Sequence, residues 1–377
     1  MQECEIRRLH RVTYENGMAM QQTLVAMRQQ EQIPDQLLLL EHPPTITLGR
    51  GGDAVNLLAP PEVFAADGIR FFETTRGGDV TYHGPGQIVG YPILHLGEGR
   101  RDVRKYVEGL EEVLIRTLAE WGIAAGRLEG ARGVWVGNEK IAAVGIRVAR
   151  WVTCHGFALN VTTNLDHFRH ITPCGIAGKG VTSIERLLGA APAVREVQDA
   201  LVGSFASVFG RVPREREHAH RLVKVVPHDG ERVLLLLRTP ERGAFWQPVT
   251  GRIEPGEAAD VAAQRELVEE TGLDGTVEPL PLCQSFLIDP SFVPGRADEL
   301  PFADETAFHA RIDPGRTIRV RAEEHERSGW FTFARAYETI RWTDDREALE
   351  QVERTLASRR SAREESRIAA AEAHRPR

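Results

Sequence analysis

Between Gly251 and Leu273 the chain reads GRIEPGEAADVAAQRELVEETGL, and no other stretch limits the fold so tightly. Gly251 and Glu257 lead into Arg265-Glu266-Leu267-Val268-Glu269-Glu270, and Gly272 closes the run. Ala258 to Thr271 reads as a helix with Val261, Ala262 and Leu267 as apolar positions and Gly272 as its stop. Residues three and four apart share a helix face, so Glu266, Glu269 and Glu270 form one carboxylate cluster, and Arg265 can pair with Glu269. Like charges this close repel unless a cation sits among them. Hard oxygen ligands suit Mg2+, which usually also binds substrate phosphates. An isolated acidic cluster would read as a solvated helix face. The glycines and Glu257 at fixed spacing favour a metal site instead.

The chain has 377 residues, which suggests two domains, each able to bury its own core. A net charge of -7 gives no general case for nucleic-acid binding. No apolar run approaches the roughly 18 residues of a membrane span, and the charged start MQECEIRRLHRV lacks the apolar segment of a signal peptide. Cys4, Cys154, Cys174 and Cys283 are widely spaced, with no CxxC. That argues against a disulfide framework or structural zinc and for a reducing cytoplasm. Val194 to Phe209 reads as an amphipathic helix, followed by the charged run Arg214-Glu215-Arg216-Glu217. Strands are expected at Leu222–Val226 and Val233–Leu237, with a His228-Asp229-Gly230 turn between them. The expected division is a first domain over 1–213, a linker over 214–219, a second domain over 220–357 and a charged tail, helical or disordered, over 358–377.

Three patches mark the first domain. TRGGDVTYHGPGQ (75 to 87) is a glycine-rich loop running into a strand from Ile88 to Leu94, and alone it could be a simple turn between strands. GVWVGNEKIAAVG (133 to 145) reads as a hairpin with Gly137-Asn138 at its turn and Lys140 near the start of its second strand. ITPCGI (171 to 176) carries Cys174. A free thiol, with a pKa of about 8.5, is mostly protonated at neutral pH, and a nearby ammonium favours the thiolate. Taken singly, Cys174 would read as a small buried apolar residue, Lys140 as a solvated lysine and His155 as a satisfied histidine. The surrounding motifs reverse the first two.

The C-terminal pattern fits the signature of Nudix pyrophosphohydrolases at every specified position. The segment from Phe245, with Asp304–Phe308 as a strand, EEHERSGWFTF (323 to 333) and a closing helix over 341–352, is similar to the branch that trims dihydroneopterin triphosphate and related nucleoside triphosphates. The resemblance implies an α/β/α sandwich, a Mg2+ held by Glu266, Glu269 and Glu270, and a nucleotide or pterin triphosphate substrate. Glu324 is a candidate extra ligand or general base, with a plain surface glutamate as the alternative. Selectivity would lie in loops such as Ser285 to Pro301.

From about Leu37 to Ile184 the chain resembles the octanoyltransferases of lipoate biosynthesis, through LLLLEHPPTITLGR (37 to 50), RGGDVTYHGPGQ (76 to 87), KIAAVGIRV (140 to 148), HGFALNV (155 to 161) and ITPCGI (171 to 176). This implies an α+β domain of the lipoate/biotin protein ligase type. It would move octanoyl from octanoyl-acyl carrier protein to a lysine of the lipoyl domains of 2-oxoacid dehydrogenase or glycine cleavage proteins, without a cofactor. Cys174 would carry the acyl thioester, and Lys140 would lower its pKa and exchange protons with the incoming lysine. Arg76, Gly77, Gly78, Asp79, Val80, Thr81, Tyr82, His83, Ala143, Val144, Gly145, Gly156, Phe157 and Ala158 would line the acyl site, and His83 and His155 could shape or polarise it. Acidic carrier and lipoyl domains call for a basic rim, with Arg147, Arg150 and Arg169 as candidates. Two competing readings are an ATP-dependent lipoate ligase and a transferase whose Nudix domain is a regulatory nucleotide-binding module.

Overall fold

The computed structural model describes residues 2–97, 99–172, 178–288 and 300–373, with residue 61 and residues 363–373 described by backbone alone. The chain forms two compact units, Met1–Glu217 and His218–Arg377.

In the first unit, β1 (Gln2–Arg11), α1 (Tyr14–Gln29), β2 (Asp35–Glu41) and β3 (Thr45–Leu48) lead to α2 (Pro61–Ala66), β4 (Arg70–Glu73), β5 (Val80–His83) and β6 (Gln87–Ile93). Then follow α3 (Val103–Ala119), β7 (Gly126–Leu128), β8 (Ala131–Val136), β9 (Glu139–Ala149), β10 (Val152–Asn160), β11 (Gly180–Val181), α4 (Ile184–Leu188), α5 (Val194–Phe209) and β12 (Arg211–Glu215). The main sheet of this unit runs β12-β1-β2-β6-β10-β9-β8-β7, with β11 beside β9, and a small second sheet runs β4-β3-β5. Leu37 to Leu40 form a wholly buried run on β2, because both faces of the sheet are covered. Leu37 and Leu39 join Leu110, Leu114, Leu201 and Phe205 under α3 and α5. Period-two alternation sends Leu38 and Leu40 to the opposite face. Asp102 caps α3 by accepting from Lys105 N–H, and Gly210 ends α5 in the left-handed conformation.

The charged run read as a linker differs in structure. Arg214 and Glu215 end β12, which pairs in parallel with β1. Their charges are cross-strand partners: Arg214 Nη2 meets Glu3 Oε1 at 2.8 Å and Glu215 Oε1 meets Arg8 Nη2 at 2.8 Å. Arg211 at the start of the strand meets buried Asp35, which also holds Arg28, each at 2.8 Å. This pins the last turn of α1 and the start of β12 to β2.

The second unit comprises β13 (His220–His228), β14 (Arg232–Arg238), β15 (Trp246–Gln247), β16 (Val249–Arg252), α6 (Ala259–Thr271), β17 (Val277–Leu287), β18 (Phe302–Arg311), β19 (His325–Thr332), α7 (Phe333–Thr339) and α8 (Thr343–Ala373). Its strands run β15-β14-β13-β18-β17, with β16 on β13 and β19 on β14. On one face α6 covers Val223, Val225, Leu234, Leu236 and Phe308. On the other, α7 and α8 cover Val226, Val233, Leu235 and Ala307. This is an α/β/α sandwich. Lys224 interrupts the second face. Its Nζ meets Glu305 Oε2 at 2.7 Å and Asp345 Oδ1 at 2.8 Å, so α8 is tied to the sheet by a buried ion cluster. Burial opposes the lysine charge, yet Asp345 and Glu305 hold it above the usual range.

Two helix expectations shift. Ala258 is the cap of α6, not its first residue, and Val261 is 56% exposed. The buried face is Ala262, Ala263, Glu266, Leu267 and Glu270, so a small-residue stripe faces the sheet and Val261 turns outward. The segment from Ser358 continues α8 to Ala373. Of the stretch from Ser285 to Pro301, residues 285–287 belong to β17 and 289–299 lie outside the described residues.

Candidate active sites

Backbone contact shapes the first site. The loop at Arg76-Gly77-Gly78 lies across β9, where Gly77 N–H donates to Ile146 O at 2.8 Å. A Cβ on Gly145 would stand 2.8 Å from Gly77 O, and one on Gly156 2.1 Å from Gly90 O. Glycine is what lets these chains touch. Gly78 has φ +90, which favours glycine directly. Arg76 anchors the loop from below by donating from Nη2 to Thr47 O at 2.7 Å.

Under the loop lies a cavity of about 390 Å3, within the roughly 300–1,000 Å3 usual for small-molecule sites. Its wall includes Arg76, Gly78, Asp79, Val80, Thr81 and His83 from the loop and β5, with Lys140, Ala143, Val144 and Gly145 from β9. Strand β10 adds His155, Gly156, Phe157 and Ala158. Two of the sequence-named residues stand off the wall. Gly77 is the backbone anchor on Ile146. Tyr82 points to the opposite face of β5, packs with Ile46, Phe64 and Phe168, and bonds His167 Nδ1 at 2.7 Å. Tyr14, Tyr91 and Arg132 also line the cavity. Sequence reading missed them because they come from distant segments with no motif of their own.

Cys174 lies outside the described residues, as do residues 173–177. The segments on either side are tied down. Thr172 N–H donates to Asn56 O at 2.8 Å, and Thr182 N–H donates to Lys140 O at 3.0 Å. Val181 stands opposite Lys140 in the β11–β9 pairing. Lys140 is 5% exposed, and its Nζ sits 4.6 Å from the Trp135 ring centroid, a cation–π contact.

The histidines in and behind the cavity wall are held neutral. His42 Nδ1–H donates to Val12 O at 2.6 Å, so its Nε2 accepts from the Tyr91 hydroxyl at 2.6 Å. Burial pushes the His42 pKa down to about 4. Gln87 gives its NH2 to Tyr82 O and Asn160 Oδ1, which leaves its Oε1 to accept from His83 Nδ1–H at 2.8 Å. The His83 Nε2 lone pair is thereby left on the Thr47 side, 3.5 Å from that hydroxyl. Burial, then His42 and Arg76, lower the His83 pKa well below the usual range. His155 has φ +57, its N–H donates to Gln21 Oε1 at 2.5 Å, and burial, then Arg76 and Arg147, bring its pKa to about 4. Among the proposed rim residues, Arg147 and Arg150 are exposed, whereas Arg169 is committed to Asp67 at 2.7 Å.

In the second unit, α6 presents its acids to β16. A Cβ on Gly251 would fall 1.8 Å from Glu266 Cδ, so the glycine makes room for that carboxylate. Arg265 does not serve chiefly to hold Glu269, from which its Nη1 is 3.6 Å. It forks onto Glu257 at 2.9 Å through both Nε and Nη2 and reaches Glu266 Oε1 at 2.7 Å. That fork draws the Glu257 pKa down to about 2 and fixes the loop before α6. Burial raises the Glu266 pKa against the pull of Arg265, and Glu270 and Glu269 push it further up. Glu270 is 2% exposed, with Oε1 3.2 Å from His325 Nε2. Glu324 is not a free surface acid: Arg238, Arg242 and Arg321 all reach it.

These acids fit a hard divalent cation. They are partly buried, mutually repelling oxygens whose repulsion such an ion would relieve. One ligand atom each from Glu270, Glu324 and His325 lies within 4.8 Å of the others. His325 adds a buried ring whose Nε2 faces Glu270 and whose Nδ1 has no hydrogen-bond partner among the described residues. The sequence names Glu266, Glu269 and Glu270, with Glu324 as a further candidate, and the fold adds His325 beside Glu270 and Glu324. The histidine comes from β19 and joins α6 only in the fold.

A sequence model of the lipoyl protein ligase A/B catalytic domain matches residues 13–206, and one of the NUDIX domain matches residues 218–352. The chain is 44% identical over 361 residues to an octanoyltransferase of Myxococcus xanthus, covering 93% of this chain and 99% of that one. It is 51% identical over 209 residues to an octanoyltransferase of Solibacter usitatus, covering 55% of this chain and 94% of that one. Among solved structures it is similar to the dihydroneopterin triphosphate pyrophosphohydrolase of E. coli, at 29% identity and a TM-score of 0.31, over 36% of this chain and 97% of that one.

The buried neutral histidines predict acid sensitivity. Their folded pKa values, about 4 for His42 and His155, lie below the unfolded value of about 6.5, so the unfolded chain binds protons first. Their contribution is complete above about pH 6.5 and is lost as pH falls toward 4, at up to about 1.4 kcal/mol per pH unit for each group. Urea unfolding between pH 7.5 and 5 should show this decline, and His42→Gln should flatten it; equal slopes in both proteins would contradict the assignment.

Proposed function

The chain belongs to the octanoyltransferases and carries a NUDIX hydrolase domain at its C-terminal end, and from that membership we propose two reactions on one polypeptide. In the first, the Cys174 thiolate attacks the thioester carbonyl of octanoyl-acyl carrier protein. The carrier thiolate leaves, and the octanoyl group remains as a thioester on Cys174. A lysine amine of a lipoyl domain then attacks that carbonyl, the amide forms, and Cys174 is released. Lys140 favours the thiolate and returns a proton to the departing thiol. The observation that carries this reading is a buried lysine on a cavity wall, hydrogen-bonded through its backbone to the strand that follows the Cys174 segment. The mostly uncharged wall suits an acyl chain, and the neutral His83 offers a fixed acceptor to an arriving amine. Transfer needs no ATP.

In the second reaction, water cleaves the diphosphate of a nucleotide or pterin triphosphate. Glu266, Glu269 and Glu270 hold Mg2+, with Glu324 as a further ligand or general base. Bound there, Mg2+ neutralises phosphate charge and acidifies water. The chain's own part is to align the acids: Gly251 makes room for Glu266, and Arg265 fixes the preceding loop through Glu257. The buried, mutually repelling carboxylates support this reading.

Two assays test the pair of sites. Octanoyl transfer to an isolated lipoyl domain in ATP-free buffer should proceed with the wild type and fall about 100-fold or more in Lys140→Met; a strict ATP requirement with AMP release would replace transfer by ligation. Mg2+-dependent hydrolysis of a panel of triphosphates should fall about 100-fold or more in Glu270→Gln, since the metal contributes several kcal/mol at about 1.4 kcal/mol per decade. Unchanged turnover in that variant would remove the metal assignment. Hydrolysis of none of the panel by the wild type would favour a regulatory module.

A further inference from the structure

Three arginines from separate segments of the second unit converge on one carboxylate beside the acids of α6. Arg238 ends β14, Arg242 lies in the turn at Pro240–Arg242, and Arg321 precedes β19. Arg238 Nη1 and Arg242 Nη1 stand 3.0 and 3.3 Å from Glu324 Oε2, and Arg321 Nη1 stands 3.4 Å from Oε1. The backbone holds the segments together. Thr239 N–H donates to Glu324 O at 3.1 Å, and Glu324 N–H donates to Arg321 O at 3.0 Å. Glu324 is also one of the three residues whose ligand atoms lie within 4.8 Å of one another. The arginines are therefore one side chain away from the place where the metal would sit.

Two of these cations share a single anion. Among the described residues, Arg238 and Arg242 meet no carboxylate except Glu324. Arg321 shares itself among Glu269, Glu323 and Glu324, at 3.7, 3.7 and 3.4 Å. Arg238 and Arg242 divide one carboxylate between them, and among the described residues the buried Nε–H of Arg238 has no acceptor. A buried unsatisfied donor beside two guanidinium groups that share one carboxylate suits an anion with more oxygens than a carboxylate has. Guanidinium forks match the spacing of phosphate oxygens.

We propose that Arg238, Arg242 and Arg321 form a clamp for the diphosphate group of the substrate, and that Glu324 is its internal counter-ion until phosphate displaces it. This rests on reading the unit as a diphosphate hydrolase. The exchange has a consequence: arrival of the phosphates frees the Glu324 carboxylate next to Glu270 and His325. Ligand engagement and release of that acid become one event.

Calorimetric binding of inorganic tripolyphosphate to the full chain in EDTA tests the clamp without the metal and without turnover. Wild type should bind weakly, because the tethered Glu324 competes. Glu324→Gln should bind about tenfold or more tightly, since truncating one member of a charge cluster leaves its partners unpaired. Adding Arg242→Gln or Arg321→Gln to Glu324→Gln should erase that gain. Both arginine side chains are nearly half exposed, at 45% and 44%, so these variants spare the core. Equal affinity of wild type and Glu324→Gln, or a gain that survives loss of both arginines, would overturn the clamp. Tripolyphosphate binding that follows this pattern in a chain that hydrolyses no triphosphate with Mg2+ would retain the clamp and retire the hydrolase reading. Hydrolysis with tripolyphosphate binding indifferent to the arginines would do the reverse.

Discussion

The first site depends on backbone lying directly against backbone. At Gly145 and Gly156 the smallest possible side chain would strike Gly77 O or Gly90 O. The loop that carries Arg76 to Thr81 can roof the sheet only because β9 has no Cβ at Gly145, while Gly156 lets β10 and β6 lie close beneath it. Once it is down, Arg76 reaches under it to Thr47, and a cavity is left between the loop and β9–β10. The second unit uses the same device for a different end. Gly251 faces a carboxylate instead of a loop, and its missing Cβ is the space that Glu266 fills.

The two sites differ in how they treat charge. The first buries titratable groups in their neutral forms: His42 and His155 sit near a pKa of 4, each chiefly because burial disfavours the imidazolium. Hydrogen bonds then fix which ring nitrogen carries the proton in His42 and His83. Such a wall suits an apolar chain, with Lys140 beside the Trp135 ring within it. The second site accumulates charge of both signs within a few ångströms. Glu257 and Arg265 lock each other, Glu266 is strained toward protonation by burial and its neighbours, and Glu324 is shared by arginines. Surplus on both sides is what a cation and a polyanion together would neutralise.

Local pattern made much of this legible. Val194–Phe209 appears as a helix with those same bounds, because its apolar period and its closing glycine are both local signals. The hairpin turn at Gly137 and the Gly272 stop of α6 were readable for the same reason. What failed was partnership at long range. A charged run looks like a linker until its partners on β1 are known, since Arg214 finds Glu3 across the whole length of the unit. Helix spacing gives Arg265 its contact with Glu269 at 3.6 Å, but not the closer fork onto Glu257 in the preceding loop. Tyr82 sits in a cavity motif, yet its ring packs with Ile46, Phe64 and Phe168 behind the wall, a partnership no local signal shows. His325 carried no signal at all, because β19 meets α6 only in three dimensions.

Covalent catalysis at Cys174 can be read from the mass of the intact chain after incubation with octanoyl-acyl carrier protein. Wild type should gain an octanoyl group, about 126 Da, and Cys174→Ser should gain none. An adduct of that mass on Cys174→Ser, or transfer to a lipoyl domain that survives the substitution, would contradict it.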